Sequence, residues 1–262
     1  MLWLYITLGT AGGLALIILF VWFNNSCLQK TYYDIAFQCT EEFKIVHLSD
    51  LHGKNFGKRN LKLIEKVSAE KPDVIVITGD IIHTYTQRNC QTAVEAVSQL
   101  KEIAPVLYVA GNHEMRNKGY RQLKKQLAEG GAAVLDNASA TVNGITFVGL
   151  NCASIKNDTV FKITPASSPK ILLAHLPQYF EKYSSAGYDL VLCGHAHGGQ
   201  WRIPFTGIGL YAPGQGKFPK YTSGVHKSGK TRMVISRGLG NSRCPLRLFN
   251  RPEIVVINCK PE

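Results

Sequence analysis

Eight short runs of β-branched and aliphatic residues punctuate this chain: FKIVHLS (43–49), DVIVIT (73–78), PVLYVA (105–110), ITFVGL (145–150), KILLAH (170–175), DLVLCG (189–194), RMVIS (232–236) and EIVVIN (253–258). Runs of this length, apolar at both odd and even positions, predict strands buried on both faces of a sheet. Helical spacing separates several of them, in NLKLIEKVSAE (60–70), NCQTAVEAVSQLKEI (89–103) and GYRQLKKQLAEGG (119–131), the last closing on a glycine pair suited to a helix C-terminus. Strands that alternate with helices pair in parallel and bury their faces under those helices, which is an α/β architecture. With 262 residues and 45% hydrophobic content, the chain can bury the core of one large domain.

The residues that follow these runs carry chemistry. FKIVHLSDLHG ends in Asp50 and His52, DVIVITGD in Asp80, PVLYVAGNHE in Asn112 and His113, KILLAH in His175, and DLVLCGHAH in His195 and His197. In α/β sheets the space beyond the carboxyl ends of the strands is where sites are built, because the sheet holds the first residue of each loop in place. Any one such Asp or His is more often a turn former or a satisfied polar group, so the argument rests on their convergence. A mixture of oxygen and imidazole donors, with a carboxylate free to bridge, suits two borderline divalent ions such as Mn, Fe or Zn better than Ca. The absence of cysteine donors also argues against a structural zinc site. Two such ions roughly 3.5–4 Å apart lower the pKa of water and clamp the attacking and leaving oxygens of a phosphoryl group, which is phosphoester chemistry.

The motifs S-D-L-H-G, G-D, G-N-H-E, a lone strand-end His and G-H-A-H-G-G, in this order, resemble the calcineurin-like metallophosphoesterases from about Lys44 to the C-terminus. The tail GGQWRIPFTGIGLYAPGQGKFPKYTSGVHKSGKTRMVISRGLGNSRCPLRLFNRPEI further resembles their membrane-associated bacterial branch, which includes enzymes similar to UDP-2,3-diacylglucosamine pyrophosphatases. The resemblance implies a four-layer α/β/β/α sandwich of two mixed sheets. It implies that Asp50, His52 and His197 hold one metal, that Asn112, His175 and His195 hold a second, and that Asp80 bridges them. His113 matches the family histidine that serves as general acid or stabilises the charged phosphoryl transition state. One departure is Ala196, where Thr is frequent in this branch; the missing hydroxyl alters outer bonding without removing a donor. His47, His83 and His226 read as packing or surface residues, with His83 close enough beyond Asp80 to reach substrate. Glu114 reads as a residue that orients its loop.

Ahead of all this lies LWLYITLGTAGGLALIILFVWF (2–23), uncharged and about long enough to cross a ~30 Å hydrocarbon layer. No Lys or Arg precedes it and no small-x-small site follows, so an uncleaved anchor over residues 1–25 is favoured over a secretory signal. Residues 26–42 then read as a polar linker, and 43–262 as the catalytic domain. Lys30 is the nearest basic residue, which favours a single-pass topology with a cytoplasmic domain. Seven cysteines, an odd number without a C-x-x-C pair, fit reduced thiols.

The net charge of +12 is uneven. No Asp or Glu occurs from Leu190 to Pro252, a stretch that holds Arg202, Lys217, Lys220, Lys227, Lys230, Arg232, Arg237, Arg243, Arg247 and Arg251. An anionic partner is expected; beside an anchor, acidic headgroups come before nucleic acid, and a merely solvated face is the bland alternative. Trp201, Phe205, Tyr211 and Phe218 either form an apolar lip for acyl chains or pack in the core. The resulting expectation is a membrane-anchored phosphohydrolase with two divalent metal ions, cleaving a phosphodiester or pyrophosphate of a phosphorylated small-molecule or lipid substrate. The alternatives are a nucleotide or nucleic-acid phosphodiesterase, and a non-catalytic metal-binding scaffold, against which the complete donor set counts.

Overall fold

The computed structural model describes residues 1–155, 159–165, 169–241 and 244–261. Helix α1 (Leu2–Ser26) contains no acidic or basic residue and stands off the rest of the chain for most of its length. It is long and apolar enough to cross a membrane, with a mean hydropathy of 2.2, by a measure that a signal sequence near an N-terminus also meets. Its last turn is different, because Asn24 is buried there.

Two six-stranded sheets follow. The first is built from β1 (Gln29–Phe37), β2 (Phe43–Leu48), β3 (Val74–Ile77), β4 (Val106–Tyr108), β5 (Ala132–Val134) and β14 (Glu253–Pro261), in the order β1-β14-β2-β3-β4-β5. The second uses β6 (Ala138–Val142), β7 (Ile145–Leu150), β8 (Lys170–Ala174), β9 (Leu190–Cys193), β12 (Gly224–Ser228) and β13 (Thr231–Ile235), in the order β12-β13-β9-β8-β7-β6. Each sheet is mixed: β14 runs antiparallel to β2, and the hairpin partners β6 and β12 run antiparallel to β7 and β13. A two-residue hairpin pair, β10 (Tyr211–Ala212) and β11 (Gly216–Lys217), lies in the Gly- and Pro-rich loop.

The period-2 alternation of buried strands explains the layering. In β3, Val74 and Val76 face the second sheet, while Ile75 and Ile77 face helices. In β8, Ile171 and Leu173 face the first sheet, while Leu172 and Ala174 face the other way. The helix side of the first sheet is covered by α2 (Leu61–Ser68), α3 (Gln87–Lys101) and α5 (Tyr120–Glu129), which bury Leu63, Val67, Ala93, Val97, Leu123 and Leu127 against it. The outer side of the second sheet is covered through Val160 of α6 (Thr159–Lys162) and Phe180 and Tyr183 of α7 (Phe180–Ser185). This is the expected α/β/β/α order. All eight apolar runs form strands and all three helical patterns form helices, within a few residues of their expected ends.

The expected linker, 26–42, is corrected. Nine of its residues, Gln29–Phe37, form β1 and pair in parallel with β14 over their whole length. Ile35 and Phe37 are buried in the core between the sheets, and Thr31 Oγ1 donates to Glu253 Oε1 at 2.6 Å. The sequence QKTYYDIAF hides this strand because an edge strand keeps polar residues wherever it meets solvent. Asp34, for example, accepts from Asn258 Nδ2 and Lys260 Nζ, both at 2.8 Å. The short strands β6 and β12 carry no apolar run either.

Because Phe37 fills the inter-sheet core, Phe37→Ala should cost about 3–5 kcal/mol in denaturant unfolding. A loss under about 0.5 kcal/mol, typical of a surface position, would mean that β1 does not belong to the core.

Candidate metal centre

The strand-end residues converge where the two sheets meet. Loops after β2, β3 and a short helix, α4 (Asn112–Met115), that follows β4 carry Asp50, His52, Asp80, Asn112 and His113 from the first sheet. Loops after β8 and β9 carry His175, His195 and His197 from the second. Five of these residues have left-handed backbones: Asp50 (φ 53°), His52 (51°), Asp80 (51°), His195 (66°) and His197 (47°). Each such residue costs free energy that the surrounding packing must supply, and strain of this kind gathers at functional sites. The glycines of the motifs allow the close approach. A Cβ on Gly194 would collide with Ser49 Oγ and Asp50 Oδ2, and one on Gly111 would collide with Asp80 Oδ1.

Three donor groups result, Asp50 with His52 and His197, Asp80 with His175 and His195, and His52 with His83 and His113, each with its donor atoms within 4.8 Å of one another; the first two contain carboxylates. His197 Nε2 lies 3.4 Å from Asp50 Oδ1 and 3.2 Å from His52 Nε2. In the second group His175 Nε2 lies 3.2 Å from both Asp80 Oδ2 and His195 Nδ1. Donors that share one tetrahedral ion at ~2.1 Å stand about 3.4 Å apart, so these spacings suit a cation. Asp80 Oδ2 faces the first two groups, 3.7 Å from His52 Nε2 as well as 3.2 Å from His175 Nε2.

The protonation states agree. Burial pushes His52 and His195 down to about 3 and His197 well below its ordinary value, which keeps these imidazoles neutral and able to bind metal. Burial also opposes charge on His175, but the adjacent Asp80 carboxylate outweighs it and raises the pKa. His175 Nδ1 donates to Thr78 O at 2.7 Å, which leaves Nε2 facing Asp80. Asn112 Oδ1 is buried with no hydrogen-bond partner. A buried acceptor left unpaired is costly, and a cation would satisfy it. The residues therefore fit two divalent ions.

His113 stands at the rim. Its backbone N–H donates to Asp80 Oδ1 at 2.9 Å, its Nδ1 donates to His83 O at 2.8 Å, and its Nε2 is 3.9 Å from Asp80 Oδ2. The His83 ring is 4.8 Å from that of His113 and 5.3 Å from that of His52, so the residue read mainly as packing or surface stands beside the centre. His47 is buried in β2, with Nε2 2.8 Å from Thr78 Oγ1, and His226 packs on Tyr221. Glu114 orients its loop as expected, accepting from the backbone N–H groups of Asp80 (2.8 Å), Ile82 (3.0 Å) and Gly111 (2.8 Å). Ala196 is fully buried in the outer core of the second sheet.

The described arginines of the basic stretch serve the structure, while its lysines stay at the surface. Arg247 is completely buried and donates to Gly240 O, Arg237 O (2.9 Å) and Asn250 O (3.3 Å), with Nη2 3.4 Å from His197 Nδ1. Burial lowers its pKa to about 10, which leaves it charged. Arg237 pairs with the buried Glu253 at 2.9 Å, Arg251 donates to Cys27 O and Leu28 O, and Arg202 to Gly198 O and Gly207 O. Arg232 donates to Ala36 O. Lys217, Lys220, Lys227 and Lys230 stay exposed, and Arg243 lies outside the described residues.

Sequence reasoning missed the residues that hold this segment. Asn250 Nδ2 donates to His197 O (2.7 Å) and Gln200 O (3.0 Å). Asn25, in the last turn of α1, grips the backbone of Arg247 at both polar groups, accepting from its N–H at 2.9 Å and donating to its carbonyl at 3.1 Å. Asn24 Oδ1 accepts from Asn250 N at 3.3 Å. The one available signal was a pair of amides closing an apolar helix.

A cavity of about 870 Å³ opens over the centre, with Asp80, Asn112, His113, His195 and His197 on one side and Leu176, Tyr179, Tyr211 and Pro213 on another. All seven cysteines are free thiols.

Comparison with known proteins identifies the group. Residues 43–199 match the family model described as calcineurin-like phosphoesterase. The chain is 34% identical to the metallophosphoesterase YkuE of Bacillus subtilis over 83% of this chain and 79% of that protein. It is 31% identical to the phosphodiesterase YaeI of Escherichia coli over 82% of this chain and 81% of that one. Among solved structures, TT1561 of Thermus thermophilus aligns with a TM-score of 0.48 at 13% identity, covering 76% of this chain and 91% of that one. The family acts with two divalent metals, and the chain belongs to it: this is a calcineurin-like metallophosphoesterase, a metal-dependent hydrolase.

Proposed function

We propose that this chain is a membrane-anchored dimetal phosphohydrolase that cleaves a phosphodiester or pyrophosphate, with a lipid-linked or nucleotide-lipid molecule as substrate. The observation that carries the catalytic part is the Asp80 carboxylate, buried between two imidazole groups and 3.2–3.7 Å from the nearest nitrogen of each. Asp50, His52 and His197 would hold one ion and Asn112, His175 and His195 the other, with Asp80 shared between them; Mn, Fe and Zn suit this donor set. Bound there, the ions supply Lewis-acid charge and lower the pKa of water.

The protein's own groups do the rest. His113, with its Nδ1 proton committed to His83 O, presents Nε2 to the cavity, where a second proton, carried in the imidazolium form, passes to a leaving oxygen or steadies phosphoryl charge. Its tautomer and ring plane are set by that single bond. The likeness to YaeI, named a phosphodiesterase, favours the diester. The apolar helix and the apolar wall of the cavity support a lipid substrate, and the exposure of Trp201, Phe205, Tyr211 and Phe218 favours the lip over core packing. A cytoplasmic position of the domain is part of the proposal, supported by the odd number of cysteines, all free.

Turnover of an aryl phosphodiester should require added Mn²⁺ and stop with chelator. His113→Ala should lower kcat by about 10²–10⁴-fold with metal content unchanged; an unaffected kcat would remove His113 from the chemistry, and no turnover with any divalent metal would leave a scaffold. Asn250→Ala frees the carbonyl of His197 and should weaken metal binding by about 10–100-fold, read as metal retained after dialysis. Equal retention in the variant and the parent would show that Asn250 does not position the site. A chain begun at Asn24 keeps the amides that grip Arg247 and Asn250 while removing the apolar run. It should keep activity on the soluble diester and lose most activity on a vesicle-borne lipid pyrophosphate; equal activity on both would end the membrane-substrate reading.

A further inference from the structure

We infer that the loop 201–218, together with Phe249, is a second membrane contact that dips into the bilayer surface beside α1 and turns the cavity mouth toward the lipid. The inference rests on the reading of α1 as a membrane span. Phe205 is wholly exposed, Phe218 is 66% exposed and Tyr211 54%, and Trp201, Ile203 and Ile208 also stand out from the surface. Scattered apolar side chains need no explanation, but six of them on one loop do.

The loop is rigidly joined to α1 through the segment 246–249. Trp201 bridges Leu248 in β fashion, Trp201 Nε1 donates to Leu246 O at 2.9 Å, and Arg202 N donates to Leu248 O at 3.1 Å. The next residue, Phe249, 48% exposed, meets Phe20 of α1 with ring centroids 5.0 Å apart. Phe20 lies nearly one turn inside the apolar run that ends at Phe23, so Phe249 stands at the level where a membrane span enters its interface. The Arg251 guanidinium covers the Phe23 ring at 4.4 Å, a cation one step nearer the domain, as at a headgroup boundary.

Charge and the cavity complete the surface. Lys217 and Lys220 are exposed beside Phe218, with no acidic residue between Leu190 and Pro252, which suits an anionic lipid surface. Tyr211, Pro213 and Gly214 of the same loop line the cavity over Asp80 and His113. A lipid-borne phosphate would then reach the centre without leaving the bilayer surface.

The chain has three tryptophans, at 3, 22 and 201, so the test uses the full-length protein in vesicles of phosphatidylcholine and phosphatidylglycerol with brominated acyl chains. With Trp3→Phe and Trp22→Phe, Trp201 is the sole reporter. Its emission should fall to roughly half or less in brominated vesicles and resist aqueous acrylamide, as for an interfacial ring. Adding Phe205→Asp and Phe218→Asp should reverse both effects; quenching that persists in that variant overturns insertion by these rings. Trp22 alone, with Trp3→Phe and Trp201→Phe, reports on the helix. If bromine quenches Trp22 but not Trp201, the second contact fails while the span stands; if it quenches neither, both fail. A Trp201 shielded from bromine and acrylamide alike would mean that another copy of the chain covers the loop, and would overturn the inference.

Discussion

The Asp80 carboxylate is the interaction around which this molecule is arranged. An ionised carboxylate that is 1% exposed cannot persist in a protein interior without compensation. Burial raises its pKa, yet the imidazoles around it, His175 first, bring the group well below its usual range. Part of the compensation is local, from the backbone N–H of His113. More comes from the opposite sheet through His175, and from His52 and His113 beside it. A bound cation would meet the same demand more completely, because it would let imidazole nitrogens face each other at 3.2 Å without sharing a proton.

That arrangement explains why the site needs two sheets rather than one. Each sheet brings only part of the donor set, and the packed side chains between them, including Val74, Val76, Ile171 and Leu173, hold the two edges in register. Interiors packed this way transmit little slack, so loops leaving adjacent strands can be held in left-handed conformations that would relax elsewhere. Glu114 shows the same logic on a smaller scale. It gathers three backbone N–H groups from two loops; burial, helped by Asp80, pushes its carboxyl up to about 7.

The end of α1 connects this frame to the apolar helix. Asn25 grips Arg247, Arg247 lies against His197, and Asn24 holds Asn250, which holds the carbonyl of His197. The helix is thus not a tether on a free linker. Its last turn is part of the shell behind the loop that carries His197, and β1 carries the chain directly from there into the first sheet.

The strands, three helices and candidate strand-end donors could be read from the chain because each is written in nearby residues: a buried strand is a local apolar run, and the candidate donor follows it within a few residues. The uncharged helix was legible for the same reason. What escaped was set by partners far along the chain. Gln29–Phe37 is a strand because β14, more than two hundred residues later, offers it an edge; Arg247 is buried because carbonyls from three turns converge on it; His83 joins the centre because the loop after β3 folds over His113. Residue type decided which groups could bind a cation, whereas the packing of one sheet on the other decided that they meet, since distance between segments is a property of the folded chain and leaves no mark in local order.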